Sequence, residues 1–225
     1  MHIKKFLQLG ALKALLLLSP LGALAVESSD VSVKGKIKPT ACDIVLSNSG
    51  VIDYGTVSAT SLKQNTATQL PDRNFDLTVS CYKPMRILIH TKDNRFRKQQ
   101  SEAMDFLKGT TQRSSGVVND AGTAVGALQV FPAGVMADGH AAANVETTNA
   151  GKTWFKVYNT TPIITWPTSD DYTGWGVTGA TKPSAFTTMV QRYTVRLALA
   201  PRKSLPKLVD DVPFNGSMTF AIVYI

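Results

Sequence analysis

"QRYTVRLAL", Gln191 to Leu199, decides the fold. Tyr193, Val195, Leu197 and Leu199 alternate with Arg192, Thr194 and Arg196. A period of two puts every second side chain on one face, the signature of a strand buried on one side only. Working outward, "FDLTVSC" (Phe75 to Cys81) and "VIDYGTV" (Val51 to Val57) alternate in the same way. "VSVKGKIK" (Val31 to Lys38) sets Val31, Val33 and Ile37 against lysines, and "MRILIH" (Met85 to His90) is rich in strand formers. The closing "GSMTFAIVYI" (Gly216 to Ile225) differs. Met218, Phe220, Ile222 and Tyr224 make one face, and Ala221, Val223 and Ile225 make the other apolar as well. Such a strand is expected to be covered on both sides.

Helical signals are few. "SEAMDFLKG" (Ser101 to Gly109) has a cap-like Ser and a terminal Gly, and it is short. Scattered strands punctuated by Gly, Pro, Asn and Asp predict an all-β sandwich. The stretch 110–182 is rich in Gly, Ala, Thr and Asn, and its alternating runs are short. It reads as a loop-rich insertion with a few strands inside one domain.

The first 25 residues carry Lys4 and Lys5, an apolar centre at Leu15 to Leu18, and Ala23-Leu24-Ala25. That is the layout of a secretory signal peptide with a small-residue cleavage site, so residues 26–225 are expected to form the exported domain. Lys13 and Pro20 interrupt the apolar run well short of the ~20 residues of a membrane span. About 200 residues then remain, enough for one core that buries roughly 70% of the unfolded surface. Without the leader the charge falls to about +5, a mild balance that points to no acidic partner, and nucleic acid is not expected outside the cytoplasm.

Cys42 and Cys81 are the two cysteines. In an exported protein they most simply form one disulfide, the alternative being two unpaired core thiols. No CxxC and no Cys/His cluster is present, so neither a metal nor a redox cofactor is expected.

The order of these stretches resembles the pilin superfamily of chaperone–usher fimbriae. "VKGKIKPTAC" is similar to its first strand leading into a cysteine, and "DYGTVSATSL" to the aromatic-Gly segment that follows. "FDLTVSC" resembles the strand of the second cysteine, and "SMTFAIVYI" the ending with a penultimate Tyr. The chain length and "KDNR" (Lys92 to Arg95) look closer to a poorly characterised periplasmic branch, the GltF-like fimbria-associated family. The resemblance implies an immunoglobulin-like sandwich that lacks one strand and leaves a groove beside the last one. Met218, Phe220, Ile222 and Tyr224 would contact a strand supplied by a periplasmic chaperone and then by a neighbouring subunit. It also implies a periplasmic or fimbrial location in a Gram-negative cell, and a structural or adhesive role without catalysis. Only "VESSD" (Val26 to Asp30) precedes the first strand, which fits a subunit that receives a strand at a fibre tip and has little to donate. The alternatives are a self-complete periplasmic binding protein of the same fold and, further off, an exported hydrolase.

Other signals carry less. "GWGVTG" (Gly174 to Gly179) matches a dinucleotide fingerprint in letters, but "SDDYT" before it and "ATKPS" behind it offer no strand–helix frame, so it reads as a Gly-rich turn. No G-x-S-x-G elbow or P-loop occurs, and His90 and His140 read as solvated. The basic run "KDNRFRKQQ" reads as a solvated hairpin end. Trp166, Tyr172 and Trp175, with Asp170 and Asp171, could form a stacking platform for a surface glycan; ordinary packing is the competing account.

Overall fold

The computed structural model describes Ser32, Lys34, 41–207 and 212–225. The expected signal peptide, "VESSD" and nearly all of the expected strand Val31 to Lys38 lie outside the described residues. Among the described residues there are twelve strands. They are β1 (Cys42–Leu46), β2 (Thr68–Gln69), β3 (Arg73–Met85), β4 (Ile87–Asp93), β5 (Ser115–Val118) and β6 (Ala124–Ala137). After these come β7 (His140–Thr147), β8 (Phe155–Val157), β9 (Tyr172–Val177), β10 (Phe186–Leu199), β11 (Asn215–Gly216) and β12 (Met218–Tyr224). The helix α1 spans Ser101–Phe106, with the Gln100 side chain accepting a hydrogen bond from the Ala103 amide. The all-β expectation holds.

The strands run β1-β3-β10-β6-β7-β9-β4-β12, all neighbours antiparallel. Strand β7 belongs to both layers. His140 and Ala141 pair with β6, whereas Ala142 to Thr147 pair with β9. The path thereby folds over, and the core lies between the β3-β10-β6 layer and the β9-β4-β12 layer. Phe220 of β12 meets Phe75 and Tyr193 of the opposite layer, each at 5.7 Å between ring centroids.

Strand β10 behaves as its alternation predicts. Gln191, Tyr193, Val195, Leu197 and Leu199 are buried, while Arg192 pairs with Asp76 of β3 at 2.8 Å on the outer side. Opposite Arg192 and Tyr193 the register jumps from Gly134 to Pro132, a bulge at Ala133 of β6 beside a proline, which has no amide to donate.

The region 110–182 is less loop-like than its composition suggests. It carries β5 to β9, and β6 is a long central strand beside β10. "AVGALQVF" lacks alternation because both faces of β6 are covered, one by the core and the other by α1, where Ala103, Ala127 and Ala198 pack together. "GWGVTG" is also corrected. Gly174 and Gly176 lie in β9, where a Cβ would come within 2.8 Å of Leu88 and 2.6 Å of the Lys182 carbonyl, and only Thr178 and Gly179 form the turn.

Candidate strand-binding groove

The two ends of the strand path, β1 and β12, do not pair with each other. Among the described residues β12 is hydrogen-bonded on one side only, to β4, from Met218↔Asp93 to Tyr224↔Ile87. The expectation that β12 is covered on both faces is corrected. Met218, Phe220 and Ile222 pack on the core, but Thr219 and Ala221 on the other face are exposed. Among the described residues the last strand is an edge.

The facing wall comes from the chain after β1. Asn48, Ser49 and Gly50 all take positive φ, a tight left-handed turn that lifts the chain away from β3. Beyond it, burial alternates over 51–54, the chain turns at Gly55 (φ +62°), whose amide donates to Asp53 Oδ1, and Ile52, Tyr54 and Val57 pack toward the core. The 51–58 segment joins no ladder with any described strand.

A groove lies between these walls. Its upper part, about 360 Å³, is lined by Leu46, Gly50 to Ile52 and Tyr54 on one side and by Phe214 to Met218 with Phe220 on the other. Its lower part, about 640 Å³, lies between Ile52 to Ala59 and Val212 to Phe214, with Leu205. Phe75, Leu128, Val195 and Leu197 floor the upper part; Leu62, Val125 and Leu199 floor the lower. All seven are buried core residues, so the groove opens directly onto the core between the layers.

Tyr224 joins the two ends of the strand path. It is 48% exposed, and its hydroxyl accepts a hydrogen bond from the Cys42 amide at 2.9 Å, bridging β12 to β1. Cys42 and Cys81 are bonded and lie directly opposite each other in the β1–β3 register, so the bridge is anchored at both sides. From that bridge, the chain runs 42 to 59 down one wall while 212 to 224 runs up the other. The walls are antiparallel.

The groove's lining is mixed, with Asp53, Thr56 and Ser58 in the lower part, Asn215 and Ser217 in the upper, and the phenol of Tyr54. This side chain lines both parts. Its hydroxyl is buried and has no hydrogen-bond partner among the described residues. Burial, with help from Asp72, pushes the phenol up to about 12, so it stays a neutral donor at any ordinary pH. Of the residues expected to contact a donor strand, Met218 and Phe220 line the groove, while Ile222 and Tyr224 are not among its lining; Ile52, Tyr54, Val57 and Phe214 line it without having been singled out. The alternation of "VIDYGTV" was visible; that its edges would lack a described partner was not.

The aromatic platform does not assemble as expected. Trp175 is 3% exposed, and its indole N–H donates to Gln191 Oε1 at 3.0 Å in the core, so it offers no face to a glycan. Tyr172 lies three residues away on the same strand, hence on the opposite face, where its ring meets His90 edge-on. Trp166 is half-buried, edge-on to Phe96, with its N–H on Thr168 Oγ1. His90 is likewise half-buried in β4, which corrects its reading as a solvated strand end; His140 is exposed.

Residues 31–140 match a family described as "Protein of unknown function (DUF1120)". Over 101 residues the chain is 34% identical to Protein GltF of Escherichia coli (strain K12), covering 42% of this chain and 40% of that protein. Over 96 residues it is 31% identical to the uncharacterized protein YhcF of the same strain, covering 43% of this chain and 36% of that one. The chain thus spans about two fifths of the length of the curated relatives it matches. The family match takes in both cysteines and the 51–58 wall, whereas β12 lies outside it.

Proposed function

We propose that the protein is an exported subunit of fimbrial type, structural or adhesive and without catalytic role, that accepts a β-strand from a partner. The observation that carries this reading is the core-deep groove flanked by β12 and the 51–58 segment, which share no ladder among the described residues. Backbone amides and carbonyls along such walls are satisfied by an inserted strand, and alternate side chains of that strand fill the parts of the groove. Because the walls are antiparallel, the inserted strand runs parallel to one and antiparallel to the other. A formed disulfide suits an oxidising compartment, which agrees with the signal-like leader. The likeness to pilins suggests a periplasmic chaperone and a neighbouring subunit as donors. Left open, the β12 edge is a template for aggregation, which gives a partner a protective role.

A tethered strand tests this. Fusing a nine-residue alternating Val–Ser strand behind Ile225 through a flexible Gly/Ser linker should raise the melting temperature by several degrees and suppress aggregation. An unchanged melting temperature, with the unfused protein already a stable monomer, would mean that the chain fills its own groove. The self-complete binding protein would then be the better account.

A further inference from the structure

Residues 215–218 line the upper part of the groove at the point where the chain changes layer. Strand β11 pairs with Val117 and Val118 of β5, β12 pairs with β4, and Ser217 between them belongs to neither strand. Two ladder pairs are a short hold for such a corner. Gly216 lies so close to the floor that a Cβ there would stand 2.7 Å from Leu128. A second hold comes from residues 93–95 at the end of β4. The Asn94 amide donates to the Ser217 carbonyl at 2.9 Å, and Asn94 Nδ2 reaches Ser217 Oγ and Thr219 Oγ1, each at 3.0 Å. Arg95 donates from Nε and Nη2 to Asn215 Oδ1 at 3.2 and 2.9 Å. The buried Asp93 carboxylate accepts the Arg95 amide at 2.8 Å and the Gly116 amide of β5 at 3.1 Å, which fixes the turn itself. Asn94 and Arg95 line neither part of the groove. They grip its wall from the β4 side.

Ser217 and Ile225 turn their backbone groups toward β4, bonding Asn94 and Arg86. Such bonding alternates along an antiparallel pair, so Met218, Phe220 and Ile222 present their N–H and C=O at the outer edge of β12. A strand added there gains these bonds in full only where the edge is already ordered; elsewhere binding must order it first. We propose that Asn94 and Arg95 are positioning residues for strand acceptance, fixing the 215–218 corner and with it the edge groups of Met218 and Phe220. This rests on the strand-acceptor reading above.

The test melts the chain from Val26 onward with and without the tethered Val–Ser strand, and reads the gain in melting temperature that the tether gives. In Arg95→Ala this gain should shrink by about 2–4 °C, a coupling between the clasp and the added strand. Asn94→Ala, at an exposed position where folding is not at stake, should shrink it in the same direction. Arg95→Lys keeps a donor and should restore part of it. Arg192→Ala is the control. It removes the outer-face pair with Asp76, so it should lower both melts alike and leave the gain intact. A gain in Arg95→Ala and Asn94→Ala equal to the parent's would make the clasp merely structural and overturn the inference, while strand acceptance stands. A gain lost as fully in Arg192→Ala would overturn it too, since any destabilisation would then suffice. No gain in the parent would overturn both readings.

Discussion

Replacing Trp175 by Phe separates a core role from a ligand role. The indole N–H is the partner of Gln191 Oε1, while Gln191 Nε2 donates to the carbonyls of Gly134 and Arg192. Gln191 is fully buried between the layers, so its amide is satisfied only by these neighbours. Phenylalanine at 175 leaves Oε1 without a donor, at a cost of about 1–3 kcal/mol. The lost ring atoms add about 1–2 kcal/mol of transfer and cavity terms. The total is about 2–5 kcal/mol. In urea, with a slope of about 2 kcal/mol/M, the midpoint should fall by roughly 1–2.5 M. Trp166→Phe is the control. Its partly exposed ring and Thr168 contact predict a loss below about 1 kcal/mol. A midpoint for Trp175→Phe within about 0.3 M of the parent would refute the reasoning and return Trp175 to the surface, where a glycan could stack on it.

Two further outcomes follow from the groove's supports. Cys42→Ala removes a crosslink between residues 39 apart, and the chain-entropy model then predicts a loss of about 4 kcal/mol, measured by denaturant unfolding against the oxidised parent. Asp93 pairs with Met218 at the start of β12, and burial pushes its carboxyl up to about 6 against the pull of the Arg95 and Gly116 amides. A carboxyl whose folded pKa exceeds its unfolded value binds its proton more tightly in the native state. Stability should therefore rise as pH falls from about 7 toward 4, by up to about 1.4 kcal/mol per pH unit from this group. Subtracting the Asp93→Asn profile from the parent's should isolate this slope, and a flat difference would contradict the buried charge.

Much of this fold was legible in residue order. Alternation identified β10 and β3 because each has one face on the core and one in solvent, as Arg192 and Asp76 on the outside confirm. It failed for β6, whose two covered faces erase the period and whose Gly126 and Ala127 mimic loop composition. The groove was half legible. "SMTFAIVYI" announced an unusual last strand, but apolar residues on both faces do not say whether a strand's edge is paired. Alternation reports which face is buried; ladder pairing depends on neighbours far along the chain. That is why "VIDYGTV" reads as a strand yet stands without a described ladder. The sharing of Trp175 between β9 and Gln191 of β10 was hidden for the same reason, since an isolated Trp gives no sign of which way it points.

The central claim is that residues 51–57 and the outer edge of β12, which pair with no other described strand, are walls around an open groove. Amide hydrogen exchange of the chain from Val26 onward, resolved by residue, tests it most directly. The account predicts fast exchange at Ile52 to Val57 and at the β12 amides that do not face β4, alongside full protection through the centre of β10. Protection of Ile52 to Val57 equal to that of β10 would contradict it, because some strand of the chain would already be lying in the groove.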